Sequence, residues 1–341
     1  MLRLVIKDFD AEEWSKVVAP FADLSLMQCW AYAEAKARIG PWRVERGVFY
    51  DGQRQVGAFQ ALIRSLPLVG GGLVWINRAP LWRLGGETPE QPLVAMMAEL
   101  RAHYADRGRM YLRLAPPAPE GKLGPGALGE AGLSPAGTLG WSSAVLDLTS
   151  PLEDLRKGLR QKWRNCLNKA ERLQVEVRSG GGEALFAAFL ESHALRSADD
   201  GYATSVTAGL LEALQGLLPE GRKLEAFLAY QKEVAVGSVL IAKYGDACEY
   251  LAGHTSAEGR RLNTGQLLLW RAVAAMKEQG FRRFDLGGMD KVLSSRGIYR
   301  FKDGLGGKPY RLASELEAVG GGVLNRLVRW RARQARAVEP C

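Results

Sequence analysis

The residues best suited to chemistry lie between Phe281 and Tyr310, FRRFDLGGMDKVLSSRGIYRFKDGLGGKPY. The run Phe281 to Leu286 reads as a short strand. It carries Asp285 near its end and runs into Gly287-Gly288. Glycines placed directly after a strand let a ligand or a second backbone come close. A polar loop follows, then a second short run expected to be extended, Gly297 to Lys302, and another glycine-rich turn. Lys302 sits beside Phe301, with Tyr299 and Arg300 just before. A cation among aromatic rings suits an anionic, stackable partner such as a nucleotide. The other reading of the same residues is a buried strand between ordinary turns.

Several chemistries are disfavoured. The three histidines, His103, His193 and His254, stand near no Ser or Cys nucleophile signature. There is no GxSxG, Walker A or HExxH pattern, and no His/Cys/carboxylate cluster with metal-ligand spacing, so no metal is expected. A triad hydrolase, a kinase and a metalloenzyme are therefore poor fits. Transfer of an acyl group that is already an activated ester needs none of these groups. The protein must bring an amine to the ester carbonyl, accept a proton and stabilise the oxyanion.

Charge points the same way. The 341 residues carry a formal net charge of +9, which favours polyanionic partners such as nucleic acid, phosphorylated substrates or an anionic membrane face. No run of about 18 apolar residues is present, so no membrane-spanning helix is expected. The start, MLRLVIKDFDAEEW, lacks the apolar core of a secretory signal. Cys29, Cys166, Cys248 and Cys341 are widely spaced, without CxxC pairs. That fits a reducing, cytoplasmic setting rather than a disulfide scaffold.

The elements that must position these residues are legible in part. Helices are expected at Glu12–Val18 and Gln28–Ile39. A hairpin is expected across Asp51-Gly52, from Trp42–Tyr50 to Gln53–Leu66. A strand at Leu73–Ile76, a helix from Pro89 to Arg107 capped by Thr88, and a strand at Met110–Leu114 complete a first domain, residues 1–148. It includes a Pro/Gly-rich loop at 115–140, with room for one short helical turn. A second domain, 149–320, opens with one long amphipathic helix from Ser150 to about Leu173. Its polar face carries Arg156, Lys157, Arg160, Lys162, Arg164, Lys169 and Arg172, almost without acids to pair with them. That face is either solvated or turned to a polyanion. Helices at Glu183–Leu195 and Ala208–Leu218 follow, flanking a polar loop at 196–202. Three strands between Leu224 and Gly253 and a helix from Asn263 to Gln279 lead to the strand of the opening segment. The tail 321–341 is expected to be a basic amphipathic helix. It is either packed on its domain or in contact with RNA or an anionic membrane.

DLGG followed by GIYRFKDGLGG resembles the FemAB family, in particular its FemX-like members. The resemblance implies an α/β (α+β) architecture of two tandem GNAT-like domains, with mixed sheets flanked by helices and no coiled-coil arm. It implies transfer of an amino acid from aminoacyl-tRNA to an amine of a peptidoglycan precursor or related peptide, without a separate cofactor. The implied partners are aminoacyl-tRNA, a nucleotide- or lipid-linked muropeptide or other peptide, and peripheral contact with the inner membrane surface. By the same resemblance, Phe301 and Lys302 are the candidate catalytic residues. Lys36 and Arg196 are candidates for binding the acceptor's phosphates. Tyr299 and Asp285 are further substrate-binding candidates, and Arg156, Lys157, Arg160 and Arg164 are candidates for tRNA. The match departs from the family pattern at Asn77-Arg78-Ala79-Pro80 and at Leu305.

Two other functions fit the same residues. One is an acyl-CoA-dependent N-acyltransferase, for which Arg260-Arg261-Leu262-Asn263-Thr264-Gly265 is the nearest stretch to a pyrophosphate loop, with Asn263 in place of its first glycine. The other is a non-catalytic protein that binds RNA or a membrane through the basic helix and tail.

Overall fold

A computed structural model describes residues 2–66, 71–85, 91–200 and 206–338. The chain divides into two compact units. Among the described residues, unit 1 comprises those within 1–141 and 311–339, and unit 2 those within 142–310. The expected boundary at 148 thus falls earlier, before a strand that joins the second sheet. The expected end of the second domain at 320 also moves, because the chain re-enters unit 1 at Arg311.

Unit 1 contains β1 (Leu2–Ile6), α1 (Ala11–Val18), α2 (Trp30–Ile39), β2 (Arg43–Asp51), β3 (Arg54–Ser65), β4 (Gly72–Asn77) and α3 (Gln91–Arg101). A π-helical stretch (Ala102–Arg107), β5 (Tyr111–Ala115), α4 (Pro125–Ala131) and β6 (Ser134–Pro135) follow. Unit 2 contains β7 (Ser142–Asp147), α5 (Leu152–Gly158), α6 (Gln161–Arg172), β8 (Glu176–Gly180), α7 (Glu183–Asp200), α8 (Ala208–Leu217), β9 (Glu225–Gln231), β10 (Val234–Tyr244), β11 (Ala247–Thr255), α9 (Ala257–Leu262), α10 (Thr264–Glu278), β12 (Arg283–Asp285), α11 (Arg296–Asp303) and β13 (Lys308–Arg311). Unit 1 ends with β14 (Leu316–Val319) and α12 (Val323–Val338).

Each unit is one seven-stranded sheet. The orders are β1-β2-β3-β4-β5-β14-β6 and β8-β9-β10-β11-β12-β7-β13. In each, four strands run antiparallel and the next pairs in parallel after a helical crossover: β4 with β5 and β11 with β12. The sixth place in each sheet is filled from a distant part of the chain. β14 lies antiparallel to β5, and β7 lies antiparallel to β12. The two sheets share one strand plan, which is the tandem architecture expected from the sequence.

Local signals explain much of this. Asp10 caps α1 by accepting from the Glu13 backbone N–H, and Glu13 returns the bond to Asp10, a reciprocal capping box. Gly52 takes a positive φ in the β2–β3 turn, as the Asp-Gly signal requires. The proposed cap at Thr88-Pro89 lies outside the described residues. Other expectations are corrected. Within residues 115–140 the short helical turn expected in the loop is α4, and the two-residue strand β6 was not expected. The segment 196–200 continues α7 instead of forming a loop. A further short helix, α9, precedes α10.

Unit 1's core is centred on Phe49, Phe59, Ile76, Leu93, Leu100 and Leu112. At its margin the Glu45 carboxylate is held down at about 2 by the neighbouring His103 and by hydrogen bonds from Tyr104 and Arg43, against the opposing cost of its own burial. The folded pKa is depressed, so this contribution is complete above the ordinary value of 4.5 and is lost as pH falls from there toward 2. Glu45→Gln is expected to melt at a temperature that changes less than wild type between pH 5 and pH 2.5, within the window these pKa values define. Equal pH slopes in the two proteins would contradict the assignment.

The completion of sheet 1 by β14 gives a second expectation. Arg113 pairs with Glu315 at 2.6 Å, and Tyr111 Oη donates to Glu317 at 2.7 Å. A chain ending at Leu312 loses these partners and the strand beside β5. Circular dichroism and calorimetry are expected to show unit 1 without a cooperative transition while that of unit 2 remains. A full-length melting profile in the truncated chain would contradict this.

Candidate active site

The site is built where β11 and β12 part. Their parallel register covers only Ala247↔Arg283, Cys248↔Phe284 and Glu249↔Asp285. β11 continues to Thr255, whereas the chain leaving β12 stays with β7. Leu286 N–H donates to Ala144 O at 2.9 Å, and Met289 N–H donates to Ser142 O at 2.8 Å. A register shift in the β10–β11 pairing falls beside Tyr250, where Leu240↔Ala252 is followed by Ile241↔Tyr250. An extra residue of this kind bends a strand and re-aims its side chains.

Gly287 occupies the fork with φ +67°. A Cβ there would stand 2.4 Å from the Tyr250 carbonyl oxygen and 3.5 Å from Lys302 Nζ. Asp285 braces the turn. Its Oδ1 lies 2.5 Å from Ser143 Oγ and accepts from Gly287 N–H at 2.8 Å, while Oδ2 accepts from Tyr310 Oη at 2.6 Å. Ser143 Oγ also lies 2.7 Å from Gly287 O. The carboxylate of Asp285 is therefore engaged in holding its own loop.

Lys302 enters the fork from α11. The expected second strand, Gly297–Lys302, is a helix instead. Ser295 caps it by accepting from Ile298 N–H, and this local bond outweighs the strand preference of Ile, Tyr and Phe. In helical phase Lys302 turns inward while Arg296 and Arg300 face solvent. Its side chain is 7% exposed. Nζ donates to Gly288 O at 2.8 Å and lies 4.9 Å from the centre of the Tyr250 ring.

Phe301 points elsewhere. Its ring packs on Trp163, 6.3 Å between centroids, and against Gly265 at the start of α10. Its carbonyl accepts from Trp163 Nε1 at 3.0 Å. Phe301 thus fastens α11 to α6 and is not an open stacking surface. Tyr299 is half-buried against the unit 2 core.

The single long basic helix expected from Ser150 is two helices. Leu159 and Arg160 are extended between α5 and α6. The break lets Arg160 N–H donate to Gly304 O at 3.0 Å at the end of α11. The glycines of GLGG make room for it. A Cβ on Gly304 would meet Trp163 at 2.4 Å, and one on Gly306 would meet Gly158 O at 2.5 Å. The helix cap is Pro151, not Ser150 or Thr149.

The expected scarcity of acidic partners is also corrected. Arg156 makes two bonds to Glu171, at 2.9 and 2.5 Å, and one to Asn168 at 2.7 Å. Lys157 pairs with Asp154 at 3.0 Å and Arg160 with Asp303 at 2.7 Å. Arg164 reaches back to Leu159 O at 3.4 Å. Asp154 lies in α5 itself, whereas Glu171 meets Arg156 from α6 and Asp303 meets Arg160 from α11, pairings 15 and 143 positions apart. Lys162, Lys169 and Arg172 are exposed and share one face of α6 with Asn165. Arg172 and Asn165, with Asn168 and Glu171, line an open groove.

Lys36 lies in α2 of unit 1, half-buried. Arg196 lies in the last turns of α7, and its side chain is outside the described residues. The candidate pyrophosphate stretch is taken up by α9. Asn263, with φ +57°, joins α9 directly to α10, and Thr264 and Gly265 are buried. Among the described residues no group of three His, Cys, Asp or Glu is placed to hold a metal, and no helix is long and apolar enough to cross a membrane.

The comparisons agree with this topology. Residues 153–303 match a family described as "Acetyltransferase (GNAT) domain". No curated protein matches the chain by sequence. Among solved structures, FemX superposes with a TM-score of 0.77 at 15% identity, covering 95% of this chain and 100% of that one. L-PGS from Bacillus licheniformis gives 0.53 at 14% identity, with 95% and 96% covered. A tandem GNAT protein from the clavulanic acid biosynthesis pathway gives 0.52 at 15% identity, with 94% and 99% covered. At these identities the likeness is one of fold: two GNAT-like units in tandem, the architecture of FemX.

The fork can be tested directly. Gly287→Ala is expected to cost more than the about 1–2 kcal/mol of a left-handed alanine, because the methyl group meets a carbonyl. Asp285→Ala takes the acceptor from the Gly287 amide and one partner each from Ser143 and Tyr310, and a buried donor left unpaired costs about 1–3 kcal/mol. Both variants should lower the melting temperature of unit 2. If Asp285→Ala melted like wild type, Asp285 would be free to serve a ligand instead.

Proposed function

We propose that this protein is an aminoacyltransferase that moves an amino acid from aminoacyl-tRNA to an amine of a peptide acceptor of the peptidoglycan-precursor kind, forming an amide. The observation that carries the reading is Lys302, an enclosed ammonium placed where β11 and β12 part, within a fold shared with FemX. The acceptor amine attacks the ester carbonyl. A C–N bond forms, the ester C–O bond breaks, and the amine's proton passes to the departing ribose oxygen. Negative charge develops first on the carbonyl oxygen and then on that ribose oxygen. Lys302 stabilises it from a site of low solvent access, where such a contact is strongest.

Other residues take supporting parts in this reading. Asp285, through Ser143, Gly287 and Tyr310, holds the glycine turn to which Lys302 is bonded. Phe301 and Trp163 fix the helix that presents Lys302. Lys162, Lys169 and Arg172 are better tRNA contacts than Arg156, Lys157 and Arg160, whose charges are met by acids of the same unit. Lys36 and Arg196 remain candidates for the acceptor's phosphates, and Tyr299 for the acceptor peptide. An acyl-CoA donor is the competing reading, supported by the GNAT family match and weakened by α9, which fills the segment a pyrophosphate loop would use.

The test is transfer from radiolabelled aminoacyl-tRNAs to muropeptide amines, with acetyl-CoA in a parallel arm. RNase-sensitive amide formation is expected, and Lys302→Ala should reduce its rate by about 10²–10³, as for loss of one oxyanion donor. CoA release without tRNA would replace the donor. Full activity in Lys302→Ala would remove the catalytic assignment.

A further inference from the structure

α12 is bound to unit 1 by polar side chains, and this leaves its apolar stripe outside. Asn325 is buried. Its Nδ2 donates to Arg109 O at 2.5 Å and Gly321 O at 3.1 Å, and its Oδ1 accepts from Gly72 N–H at 3.4 Å. Arg329 and Arg333 both bond Glu317, which is 1% exposed, with the Arg333 bond at 2.6 Å. The opposite face carries Val323, Leu327 and Trp330, which are 77%, 52% and 56% exposed. At a helical spacing of i, i+4, i+7 these three form one stripe. Exposed Arg326 and Arg331 flank it on its two sides, and α12 contains five arginines and no acid.

We infer that this outward face of α12 is a docking surface for an anionic lipid bilayer. The match is one of chemistry on both counts. Trp and Leu enter the boundary between headgroups and acyl chains, and the arginines on either side meet lipid phosphates at the same depth. Three side chains are too few for the roughly 800 Å² that each partner buries in a stable protein interface. A second copy of the helix would also set arginine against arginine. The inference is independent of the proposed reaction, since none of these residues belongs to the site in unit 2.

The test is co-sedimentation of the full chain with vesicles of phosphatidylcholine containing about one-third phosphatidylglycerol. Wild type is expected to bind these vesicles and to bind pure phosphatidylcholine at least about tenfold more weakly. Leu327→Ser with Trp330→Ser, and separately Arg326→Gln with Arg331→Gln, should each lose about tenfold in binding to the anionic vesicles. Both double variants should keep the wild-type melting temperature, because the substituted side chains face solvent. Two results would overturn the inference. One is binding of polyuridylate that needs the arginines and ignores the apolar pair, with no vesicle binding. The other is a concentration-dependent dimer that the apolar pair disrupts, again with no vesicle binding.

Discussion

The organisation of unit 2 depends on the early parting of β11 and β12. Two parallel strands that stayed paired to their ends would satisfy each other's backbone and leave no gap. Here the pairing stops at Asp285, and the chain follows β7 instead. A backbone carbonyl, a glycine turn and an aromatic ring are thereby presented at one place. A buried ammonium is tolerable there because carbonyl and ring face it. The same parting explains why Gly287 has to be glycine and why Asp285 spends its oxygens on its own loop.

Several elements of unit 2 hold Lys302 in place. Its helix is held at one end by the Ser295 cap and at the other by Arg160 and Trp163, which bond the carbonyls of Gly304 and Phe301. The break between α5 and α6 is the condition for that grip. It also brings basic residues within reach of acids from other turns, so the charge facing solvent is smaller than a residue count suggests. Among the described residues, a short exposed row remains on α6, Lys162, Lys169 and Arg172. Unit 1 repeats the strand plan, but β4 and β5 stay paired through Asn77↔Ala115, without a corresponding opening.

Legibility in the sequence followed the range of the forces involved. The hairpin across Asp51-Gly52, the start of α1 and the body of α10 depend on contacts within a few residues and were readable. The motif DLGG…GIYRFKDGLGG coincides with the fork, because close-packed glycines and an inward lysine are specified residue by residue. Its second half was misread as a strand because Ile298, Tyr299 and Phe301 favour extended backbone in isolation, whereas Ser295 and the packing of Trp163 favour a helix. Asp285 was readable as a candidate. Its two side-chain partners were not, since Ser143 lies 142 positions away and Tyr310 lies 25.

By itself the sequence determined the strand–helix–strand order of each half and the neighbourhood of the candidate site, and its resemblance to the FemAB family implied the two-unit α/β class. These rest on periodicity, turns and short motifs, all of which are local. Only the tertiary structure decided which strands complete each sheet, that Phe301 is a packing residue, that Arg156 and Arg160 are already paired, and that the arginine-rich last helix turns its tryptophan outward. Each of these depends on residues more than ten positions apart meeting in space. Whether a cation is matched or a ring is covered is set by what the fold brings beside it.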